Sequence, residues 1–153
     1  MTDTYIEQKI TERFLDIGEP YITKPLEETD SEGNIWKTYP NVALPNEAFE
    51  VPSNELFFEV FFMPGVPFQS ELGTSGRNRC TGIFQININT PKDWGVNGTA
   101  KANDCYDAIA SAFRRGEIFD GVRVVKTYRS SARALGDYFS VPVSVQYWAE
   151  LEN

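Results

Sequence analysis

Two pairs of carboxylates, two thiols and one serine set between glycines are the side chains of this 153-residue chain whose types and spacing admit chemistry. Glu27 and Glu28 are adjacent, and Asp104 and Asp107 are three apart. Paired carboxylates can divide acid and base roles when a rigid site holds one protonated and the other ionised. Glu27 and Glu28 lie in a proline-punctuated polar stretch that offers no such rigidity. Asp104 and Asp107 fall early in a helical pattern, where negative charge offsets the helix dipole. Ser75, in Gly73-Thr74-Ser75-Gly76, is not in a G-x-S-x-G elbow, and the absence of any histidine removes every Ser–His and Cys–His arrangement. Gly65, Gly73 and Gly76 spell neither GxGxxG nor GxxxxGK[ST], and Asp93 and Asp104 do not make an EF-hand loop.

Cys80 and Cys105 form no CxxC pair, and two thiols do not build a structural zinc site alone. Reduced thiols are expected, with Cys105 as a small core residue of its helix. The chain is therefore expected to carry no catalytic, cofactor-binding or metal-ligating residue and not to be an enzyme. The rival from another class, a small enzyme using Glu27, Asp104 or Cys105, is separated by alanine substitution at those positions.

What remains is charge and aromatic surface. Arg77 and Arg79 end a long loop, Arg114 and Arg115 close a helix, Phe68 lies in the loop, and Trp36 and Tyr39 lie in an extended arm. These seven residues are candidates for contacts between molecules. A phosphate backbone is the other partner such cations fit, in a monomeric nucleic-acid module, but 22 acidic against 14 basic side chains, a net charge of −8, disfavours gripping duplex DNA. The charge is also uneven: residues 1–76 hold 14 acidic and 4 basic side chains, a net of −10, and residues 77–153 hold 8 acidic and 10 basic, a net of +2. Either the N-terminal part is simply solvated, or an acidic surface of one copy meets a basic surface of the next, a contact that closes into a ring when the rotation permits.

The elements that must position these residues follow from periodicity. Ile6, Ile10, Phe14 and Ile17 share one face of a helix over 4–17, with Thr4 and Glu7 spaced as a capping box. Pro20, Pro25, Pro40, Pro45 and Pro52 punctuate an acidic arm over 20–52, with a turn at Gly33-Asn34 and a short strand over 35–39. Residues 56–62 form a strand apolar on both faces and expected central or doubly buried. Phe84, Ile86 and Ile88 alternate with Gln85, Asn87 and Asn89 in a strand with one wet face, and a long loop over 63–79 joins the two. A second helix is expected over 99–115, and strands over 121–129 and 137–149; Pro142 points to an edge strand or bulge. The sum is a single α+β domain over 1–153: a mainly antiparallel sheet of about four strands with two helices on one face.

No stretch approaches the roughly 20 apolar residues that span a bilayer, and MTDTYIEQKI lacks the basic start and apolar core of a signal peptide. A soluble product made in the cytoplasm is expected, with no membrane partner.

The order ELFFEVFFMPG, a Gly-rich loop, Arg79 to Ile86 as R-x-x-G-I-F-Q-I, a helix ending in basic residues and Gly, Val122–Val124 as V-R-V, and a final Y-F-S-V-P-V-S-V strand resembles a family of small tailed-bacteriophage proteins. These are related to the tail terminator of long-tailed siphophages. The resemblance covers residues 1–13 and 55–149, and the 20–52 arm is longer than the family leads one to expect. It implies a structural virion protein, made in the host cytoplasm, that forms a hexameric ring on the tail tube. Its implied partners are other copies of itself, the major tail tube protein and the head-side connector, with genome DNA passing through unbound. A neck tail-completion or adaptor role in the same particle is the alternative. An acidic lumen would suit DNA passage by repelling phosphate.

Overall fold

The computed structural model describes residues 3–45, 47–65, 68–69 and 78–151. Helix α1 spans Asp3–Leu15 and buries Ile6, Ile10 and Phe14, the predicted stripe. Asp3 is already helical, so Thr4 sits inside the first turn and not at the expected cap. Gly18, at φ +65°, turns the chain out of the helix in a conformation that favours glycine.

The arm is more ordered than its prolines imply. Strands β1 (Leu26–Thr29) and β2 (Ile35–Thr38) form a separate two-stranded antiparallel sheet, and β3 (Val42–Ala43) pairs in parallel with β4 (Phe57–Pro64). Asn41, only 6% exposed, clamps the arm: its Oδ1 accepts Thr23 N–H at 2.9 Å and its Nδ2 donates to the Tyr21 carbonyl at 2.9 Å. Its own carbonyl accepts Phe58 N–H at 2.8 Å. Buried Ile22 and Val42 join the core on either side of the hairpin.

The main sheet has eight strands, not about four. Its further members are β5 (Phe68–Gln69), β6 (Asn78–Pro91), β7 (Ile118–Phe119), β8 (Val122–Arg129), β9 (Arg133–Leu135) and β10 (Tyr138–Leu151). The order is β3-β4-β6-β10-β8-β7, with β5 added to β6 and β9 to β10. Every pairing but β3–β4 is antiparallel, so the sheet is mixed. The four strands expected from alternation are the long ones; the others have two or three residues, too few to show a period. The β4 strand lies between β3 and β6 but is not doubly buried, since Phe61 remains 44% exposed.

Pro142 lies in a central strand, contrary to the expected edge. Its carbonyl accepts Ser130 N–H at 2.9 Å, and the missing N–H points the same way, into the gap where β10 changes partner from β9 to β8. The bulge occurs instead between Gln146 and Tyr147, opposite Val125.

Helix α2 runs Val96–Ala112, displaced N-terminally from the predicted span. Gly98 is buried where a Cβ would press on Trp94 Cβ at 3.3 Å and Thr90 Oγ1 at 3.4 Å, so a glycine inside the helix serves close packing. Phe113 leaves the helix and drops into the core, which strands Arg114 and Arg115 in the following turn.

Both helices cover one sheet face. Phe84 of β6 meets Phe14 of α1 edge-on at 6.0 Å, Phe113 at 6.1 Å and Phe62 in a stack at 4.9 Å. Arg13 pins the two helix ends together, donating to the Ala112 carbonyl at 2.7 Å and pairing with Glu117 at 3.1 Å. On the same face Gly82 lies opposite Tyr147, where a Cβ would fall 2.5 Å from the phenol oxygen and 2.7 Å from the ring carbon bearing it. Gly82→Ala should therefore lower stability by about 1–3 kcal/mol, measured as a shift of the urea midpoint at unchanged slope.

Candidate functional site

The residues that suggested acid–base or thiol chemistry do not assemble into a site. Glu27 and Glu28 are consecutive on β1, so they point to opposite faces of an exposed hairpin. Asp104 and Asp107 are exposed on α2. Both cysteines are free and buried. Burial pushes the Cys105 thiol up to about 12, far from a thiolate at neutral pH, and burial with the nearby Asp3 carboxylate raises that of Cys80. Among the described residues no group of three or more His, Cys, Asp or Glu side chains could hold a metal ion. Nor is any described helix long and apolar enough to cross a membrane.

The candidate contact residues fall on three separate regions. Trp36 lies on β2, 43% exposed, on the same hairpin face as exposed Leu26, while Ile35, also exposed, points to the opposite face. The hairpin turn is built by Asp30, whose carboxylate accepts Glu32 N–H and Asn34 N–H at 2.9 Å each and Asn34 Nδ2–H at 3.0 Å. Those bonds, the Asn34 side chain first, hold the Asp30 carboxyl below its ordinary range. Four acids, Glu27, Glu28, Asp30 and Glu32, precede the hairpin's one base, Lys37. Tyr39, by contrast, is half-buried against the core and anchors the arm. Beside the hairpin a groove of about 540 Å³ is lined by Leu26, Glu28, Leu44, Glu47, Phe49 and Glu50 among others, which makes it apolar and acidic.

The second region is the helix-free sheet face. Here Arg79, on β6, pairs with Glu150 at 3.5 Å and stacks its guanidinium 4.0 Å from the Trp148 ring centre. Arg123 of β8 lies over the same indole at 5.2 Å, so one tryptophan holds two cations. The register sets Lys126 opposite Gln146 and Tyr128 opposite Ser144 on this face, with Met63 and Phe61 in the same cross-strand rows. Phe61 and Met63 are both more than two-fifths exposed. Phe68 belongs to β5, whose register places it against Arg79. Arg77 lies outside the described residues, as does most of the 63–79 loop.

Arg114 and Arg115 occupy the third region, the exposed turn after α2. The sequence reading missed Arg123, Lys126 and Trp148. A signal for two of them was present: residues 122–136 contain Arg123, Lys126, Arg129 and Arg133 and no acid. Arg129 turns to the helix side, bonding Asn103 and lying over Tyr106 at 5.0 Å, beside a cleft of about 530 Å³.

The sequence matches a family model described as phage tail terminator protein over residues 25–147. The match begins inside the arm and runs through the hairpin, although the arm looked like an addition to the pattern. No curated protein matches the sequence. A solved structure that is 18% identical covers 99% of this chain and 97% of its own, with a TM-score of 0.67, a likeness of fold.

Proposed function

The chain belongs to the phage tail terminator family, a family of structural proteins of the virion tail, and from that premise we propose that it assembles as a ring that caps the tail tube. The ring, a hexamer in this reading, ends tube polymerisation and presents its other side to the head-side connector. The observation that carries the proposal is the family match across most of the chain. The charge layout supports it. A ring subunit needs two unlike flanks, because each contact joins one patch to a different patch on the next copy. This chain has an acidic hairpin with exposed apolar side chains and, elsewhere, a sheet face rich in cations. Its net charge of −8 also suits a bore through which DNA passes without being held.

A capping role has a stoichiometric signature. A tube end offers one site per polymer, so purified chain added to polymerising tail tube protein should stop growth at a small fraction of the tube protein concentration. Light scattering follows this directly. Growth that slows only in proportion to equimolar chain would point to sequestration of subunits and against a cap.

A further inference from the structure

We propose that the β1–β2 hairpin of one copy docks on the helix-free sheet face of the next, with its acids against Arg123 and Lys126 and its apolar side chains against Phe61 and Met63. This rests on the ring reading and assigns its two flanks. A two-stranded hairpin is marginally stable alone in water. Here it is hydrogen-bonded to no other described strand, yet on the face that carries Glu28 it exposes Leu26 at 56% and Trp36 at 43%. Such a projection is stabilised by burial against a partner. The face assigned to it has the complementary chemistry. The hairpin carries four acids, Glu27, Glu28, Asp30 and Glu32, against one base, Lys37, and the face presents Arg123 and Lys126, with Arg79 already paired to Glu150. The Trp148 indole, held between Arg79 and Arg123, fixes those cations in place before any partner arrives. Two different patches on one chain also make the contact heterologous, the kind that propagates around a ring. Placing hairpin on hairpin or face on face would set like charges together, which disfavours those pairings.

The test is charge reversal with rescue, read by native mass spectrometry and light scattering on the full chain. The hairpin variant is E28K/E32K, the face variant R123E/K126E, and the third protein carries all four changes. Each double variant should dissociate at concentrations roughly a hundredfold above wild type, and the fourfold variant should reassemble. Reassembly excludes simple misfolding, since a misfolded face is not repaired by changing the hairpin. Double variants that stay assembled, or a fourfold variant that stays dissociated, would overturn the docking while leaving the ring intact. Loss of binding to tube protein with the oligomer retained would also overturn it, by assigning the hairpin to the tube. A wild-type chain that is monomeric with and without tube protein would remove the ring reading itself.

Discussion

Phe84→Ala is expected to destabilise the fold by about 3–5 kcal/mol. Its side chain is fully buried, and three aromatic rings from α1, β4 and the turn after α2 converge on it within 4.9–6.1 Å. Removing it leaves a cavity bounded by rings on separate elements. These cannot close over it without moving both helices off the sheet. Against a typical domain stability of about 5–15 kcal/mol, the loss is a large share of the total. Urea denaturation of the purified variant measures it. A loss below about 1 kcal/mol would mean that the helices are not seated on β6 as described. Val125, exposed at the bulge, provides the control: Val125→Ala should fall within about 0.5 kcal/mol of wild type.

The second large effect belongs to the particle. Particles assembled without this chain are expected to carry tail tubes of scattered length, many of them longer than normal, with few joined to heads. A tube built by stacking identical subunits keeps an open end after each addition, so only a different protein at that end can stop it. Length distributions from negative-stain electron microscopy, with wild-type chain supplied in trans as control, give the answer. Normal tails that fail only to join heads would instead assign the chain to the neck.

Much of the fold is legible in the sequence where a period is long enough to register. Ile6, Ile10 and Phe14 mark α1, and the Phe84, Ile86, Ile88 alternation marks the central strand. What escaped did so for physical reasons. Strand β1 reads as polar because all four of its residues are exposed, and nothing in Leu26-Glu27-Glu28-Thr29 reports that it pairs with β2. The start of α2 was obscured by Asn97 and Gly98, poor helix formers in isolation, the glycine being needed for packing. Pro142 misled because the gap between β9 and β8 exists only in the assembled sheet.

Only some residues of the proposed contact surfaces can be named from the sequence. Trp36 and Arg79 were identifiable by type and setting, and both lie on exposed or half-exposed surface. Arg123 and Lys126 were hidden by register. Their meeting with Trp148 on one face depends on the β8–β10 pairing and on the bulge at Gln146/Tyr147, which shifts the phase of the alternation by one residue. The charge pattern is legible without the fold, because an acidic segment precedes a basic one. The structure locates part of that separation: acids on a projecting hairpin, bases on an open sheet face.

The ring is the central claim, and the native mass of the purified chain, alone and bound to tail tube protein, tests it most directly. The account predicts a single closed oligomer, six copies in the hexameric form, present on tube ends whether or not it forms free in solution. A monomer under both conditions would contradict it.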